Sequence, residues 1–78
     1  MAAREDRRRA ALRVLEIFRE AGADPQAMAA LTDVLRKYED GVLSPQEAFY
    51  AIAGLASYWL VDLTPDQVEE LMRLFGVA

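Results

Sequence analysis

Thirteen carboxylates hold most of the chemistry open to this chain, because histidine and cysteine are both absent from its 78 residues. Without histidine there is no ordinary general base near neutral pH and no imidazole ligand. Without cysteine there is no thiolate nucleophile, no disulfide and no thiolate-bound zinc. Acid–base work would fall to paired carboxylates, and Glu16 and Glu20 stand four apart, on one face of a helix. They lie opposite the apolar stripe of that helix and beside Arg13 and Arg19, which makes them an exposed charged face. Asp62, Asp66, Glu69 and Glu70 gather around the start of a later helix, where the helix dipole favours carboxylates. Asp62 precedes the cap and the others follow it, so the spacing converges no metal-binding triad. No catalytic residue, no metal ligand set and no cofactor is expected.

The segment Glu39-Asp40-Gly41-Val42-Leu43-Ser44-Pro45-Gln46-Glu47 is the most motif-like in the chain. With Gly41 at loop position 6, Asp40 falls at 5, Leu43 at 8 and Glu47 at 12, and to that extent the segment resembles the EF-hand family. Positions 1 and 3 then fall on Arg36 and Tyr38, which puts a cation where calcium needs its first carboxylate. Ser44-Pro45-Gln46-Glu47 is a complete capping box, which gives Glu47 a role without any metal. The segment reads as a turn between two helices.

The elements around that turn share one grammar. Apolar residues recur at helical spacing, and no alternating strand pattern persists. A first helix is expected from about Arg4 to Ala21, with Ala11, Val14, Leu15 and Phe18 on one stripe and Gly22 past its end. Asp24-Pro25 opens a second, carrying Met28, Leu31, Val34, Leu35 and Tyr38 and stopping at Gly41. Ser44-Pro45 opens the third. Thr64-Pro65-Asp66-Gln67 opens the fourth, with Leu63 and Val68 as a hydrophobic staple, and Gly76 ends it. The expected fold is all-α: one compact four-helix domain over residues 1–78, with a predominantly apolar central third helix.

That third helix carries no charge from Ala48 to Val61. At about 100° per residue, Ala48, Ile52, Leu55 and Trp59 form one face and Phe49, Ala53, Ala56 and Leu60 the next. The last face holds Tyr50, Gly54, Ser57, Tyr58 and Val61. A helix apolar all round should be buried all round, yet three neighbours in so small a domain cover about two faces. Small residues flanked by tyrosines suit close approach by another surface, either a second copy or a protein partner. The run is shorter than the roughly 20 residues of a membrane span, and the apolar run after the N-terminal arginines is broken by Arg13 and Glu16, which leaves no signal-peptide core. A cytoplasmic protein that does not enter membranes is expected.

Charge is divided unevenly. Up to Arg13, five arginines face Glu5 and Asp6, a net +3, while the rest has four basic and eleven acidic residues, a net −7. Residues 1–9 read as a basic, frayed N-terminal arm. A DNA-reading helix needs basic and polar side chains, but the third helix has no lysine or arginine and the fourth only Arg73. The leading expectation is a non-enzymatic protein–protein interaction module, a small regulatory, adaptor or inhibitor protein acting as a homodimer. Small acidic helical proteins from phages and mobile elements often act as inhibitors of larger host machines, and an origin of that kind is one expectation for this chain. Its contact residues are Tyr50, Gly54, Ser57, Tyr58 and Val61, with Asp62 and Asp66 as an acidic extension onto a basic partner. The alternative is a nucleic-acid-associated protein whose Arg4, Arg7, Arg8, Arg9 and Arg13 touch phosphates.

Overall fold

Three of the helices begin on a polar residue followed by proline, and each polar side chain satisfies a free backbone N–H. The Ala27 amide donates to Asp24 Oδ1 at 2.8 Å. The Glu47 amide donates to Ser44 Oγ at 3.1 Å while Glu47 Oε1 accepts from the Ser44 amide at 2.8 Å. Thr64 and Gln67 make the same reciprocal pair at 3.2 and 2.9 Å. Each cap contributes about 1 kcal/mol. The resulting computed structural model describes residues 4–77 and contains α1 (Arg4–Glu20), α2 (Pro25–Glu39), α3 (Pro45–Tyr58) and α4 (Pro65–Leu74), with no strand among the described residues.

All four helices stop the same way. The residue two past the last helical one adopts positive φ, and the next amide reaches back to a carbonyl of the last turn, the Schellman arrangement. Glycine fills that position after α1, α2 and α4, as Gly22, Gly41 and Gly76, where a side chain would strain the backbone. After α3 the position is filled by Leu60, at φ 56°. The Val61 amide donates to the Ala56 carbonyl at 2.8 Å, so the turn forms in spite of the side chain.

Short turns pair α1 with α2 and α2 with α3, and α4 rests more lightly on α1. Phe18, Ile17, Val14, Leu31, Leu35 and Ile52 are fully buried and form the middle of one hydrophobic cluster. Leu71 and Phe75 add the fourth helix to it, and Phe75 meets the Tyr38 ring edge-on at 5.0 Å. The radius of gyration is 11.3 Å, which matches the roughly 11 Å expected for a compact chain of this length.

The third helix is not at the centre. It buries only Ala48, Ile52 and Ala56, while α1 buries five residues and α2 four. The middle is filled mainly by the large side chains of α1 and α2; α3 adds Ile52 to it, with Ala48 and Ala56 buried alongside and Phe49 and Leu55 half-buried against the cluster. Residues 4–9, expected as part of a frayed arm, are the first turns of α1; residues 1–3 of that arm lie outside the described residues.

Candidate interaction surface

Because α3 lies at the flank, much of it faces outward. Tyr50 and Tyr58 are 66% and 77% exposed, and Ala53, Gly54 and Ser57 between them are exposed too. The tyrosine rings are steadied by edge-on contacts to their neighbours, Tyr50 to Phe49 at 5.7 Å and Tyr58 to Trp59 at 5.2 Å. A Cβ placed on Gly54 would find no atom within 4 Å, and its backbone is ordinary helix. Glycine inside a helix costs about 1 kcal/mol relative to alanine. Nothing among the described residues requires it.

Leu60 is the second local anomaly. It is 88% exposed, so it gains almost nothing from burial, and it holds a left-handed conformation that costs an L-residue roughly 1–2 kcal/mol. Helical periodicity puts it on a face with Phe49, which the early stop of α3 removes. Its signal is an absence: no glycine follows Tyr58-Trp59, where the other three helices have one.

Of the expected contact residues, Tyr50, Gly54, Ser57 and Tyr58 share the outward face. Val61 does not belong to it. It is half-buried and packs against the core, because a Schellman turn directs its following residue back onto the last helical turn. Asp62 and Asp66 are exposed on the α3–α4 connection and at the first turn of α4.

The arginines are largely engaged. Arg7 donates to the Tyr38 carbonyl at 2.7 Å and the Leu43 carbonyl at 3.1 Å, and its guanidinium lies 4.5 Å from the Tyr38 ring centre. It ties α1 to the turn between α2 and α3. Arg13 makes a two-pronged contact with Glu70 of α4, one prong at 2.9 Å, and reaches Glu20 at 3.6 Å and Glu16 at 4.0 Å. Its hydrogen bonds hold the Glu70 carboxyl below the ordinary carboxylate range. Arg4 pairs with Asp40 and Arg9 with Asp6 in exposed contacts. Arg8 has no ion pair among the described residues.

The turn at 39–47 behaves as the capping box requires. The Ser44 amide, and then its hydroxyl, hold the Glu47 carboxyl below its usual range, which occupies the residue that a calcium loop would need as its last ligand. Along α4, Val68 and Met72 continue the apolar surface outward from Leu71 and form the floor of an open groove of about 770 Å³. Sequence pattern expects the fourth helix to bury Val68, Leu71, Met72 and Phe75, but only Leu71 and Phe75 are buried; Val68 is exposed and Met72 half-buried because they face the groove rather than the core. The chain matches no protein family, no curated protein and no solved structure. No helix is long and apolar enough to cross a membrane among the described residues.

Proposed function

We propose that this chain acts by binding, as a small protein–protein interaction module, and that the outward face of α3 joins two copies into a homodimer. One observation carries the reading: α3 holds two locally unfavourable residues, Gly54 in its middle and Leu60 at its end, which no contact among the described residues explains. Both make sense against a second surface. Gly54 lets another helix approach closely between two tyrosines, and Leu60 presents an aliphatic side chain that only a partner can bury.

The size of the face sets the expected strength. Aromatic side chains bury about 150–250 Å² each, so two tyrosines per copy with Leu60 reach on the order of 1,000 Å² across a symmetric pair, the lower limit for a specific interface. An interface at that lower limit is of the size of weak, transient contacts, so association is sought over a wide range of concentration. Sedimentation equilibrium from low-micromolar to millimolar protein tests it. The expected result is a monomer–dimer equilibrium that persists at high salt and is abolished by Tyr58→Glu or Gly54→Arg. A monomer at every concentration refutes it.

A further inference from the structure

The groove along α4 is formed by different residues from the α3 face, and its occupant is independent of whether α3 dimerises. We infer that this groove is a docking site for a basic amphipathic helix of a partner protein. It runs from Leu63 and Pro65, before and at the start of α4, to Gly76 and Val77 beyond its end. At 1.5 Å per residue that is roughly 18 Å, the length of about three turns of a second helix. Val68 and Met72 stand four apart on the floor, the spacing that receives i, i+3, i+4 anchors from an apposed helix. Methionine's flexible thioether adapts to the anchors it meets.

Charge selects the partner. Among the described residues, the only cation lining the groove is Arg73, and it is already paired with Glu69 at 2.9 Å. Asp62 and Asp66 do not line the groove but adjoin its lining residues Leu63 and Pro65 in the chain, and both are exposed with no ion pair among the described residues. The lining charges cancel, so the uncompensated charge beside the groove is negative, on a chain of net charge −4. A helix with aliphatic anchors and lysine or arginine flanking them satisfies both the floor and the rim, whereas an acidic helix meets like charge.

The test uses the full chain, labelled with nitrogen-15, and three synthetic helical peptides of one length. One has a leucine face and a lysine face, the second replaces lysine by glutamate, and the third has the first's composition in scrambled order. The lysine amphipath should shift the amides of Val68 to Val77 and bind at least about ten-fold more tightly than either other peptide. Met72→Glu should abolish that binding, and the milder Val68→Ser should weaken it, each checked for retained helicity. Asp62→Lys with Asp66→Lys should remove the preference for lysine over glutamate. Equal binding of the scrambled peptide would reduce the effect to bulk charge and overturn the proposal. So would shifts confined to α3, no shift at all, or α4 amides that move on dilution without peptide, which would make a second copy the occupant.

Discussion

Replacing Gly54 by alanine separates the stability of the protomer from its association. The glycine lies in the interior of α3, its backbone is helical, and a Cβ there meets no atom within 4 Å. No steric penalty then offsets the propensity difference, and the substitution should stabilise the monomer by about 1 kcal/mol. In a domain this small that corresponds to a rise in Tm of roughly 4–8 °C. Urea unfolding followed by far-UV circular dichroism, at concentrations well below dimerisation, should show a higher midpoint with an unchanged slope. Low concentration matters, because association would add its own stabilisation to the wild type. The same variant should dimerise more weakly, since the added methyl group holds the apposed helix away. A lower midpoint would mean that the space beside Gly54 is not open, and the packing argument fails. A higher midpoint with undiminished association would mean that close approach at Gly54 plays no part, and the proposed interface loses its main support.

The remaining expectations use other parts of the molecule. Leu60→Gly should raise stability by about 0.5–1 kcal/mol, because relief of the left-handed strain exceeds the added freedom of the unfolded chain, while dimerisation weakens; thermal melts and sedimentation read the two effects separately. Phe18 is fully buried in the main core cluster, and Phe18→Ala should cost about 3–5 kcal/mol, enough to leave a large unfolded fraction in dilute buffer. Glu70 has a folded pKa below its unfolded value. Its contribution is thus present in full above the ordinary carboxylate pKa and lost as the pH falls through the folded value. The Tm difference between wild type and Glu70→Gln should accordingly be largest near neutral pH and vanish in strong acid; a difference that grows on acidification would contradict the Arg13–Glu70 geometry.

Helix starts were legible in the sequence because they are chemical: Asp24-Pro25, Ser44-Pro45 and Thr64-Pro65 each combine an acceptor with a residue that has no N–H to satisfy. The stops after α1, α2 and α4 were equally plain, since glycine announces them. The stop after α3 was hidden because Leu60 holds a conformation its side chain disfavours, and a wheel drawn through Val61 assigns that residue to the wrong surface. Uniform hydrophobicity puts α3 at the centre, but which faces are covered depends on which helices the short turns bring together. The arginines illustrate the same gap. Their number and position show a basic segment, yet only the fold shows that Arg7 binds carbonyls 31 and 36 residues away and that Arg13 grips α4. The outward tyrosines were legible as a face because Tyr50, Gly54 and Tyr58 recur every four residues within the true helix.

The light attachment of α4 has a kinetic meaning. The pairings of α1 with α2 and of α2 with α3 close short loops, and such contacts form early because little chain entropy opposes them. The ties of α4 are distant: Arg13 and Glu70 are 57 residues apart. The first three helices should therefore assemble as one cooperative unit, with α4 docking last and releasing first. Native-state hydrogen exchange would show this as amides of α4 that exchange through an opening of lower free energy than global unfolding. Every residue lining the apolar groove belongs to α4 or its flanks, so an occupant would hold that helix formed and slow exchange along it even through openings that release α4 from the other three.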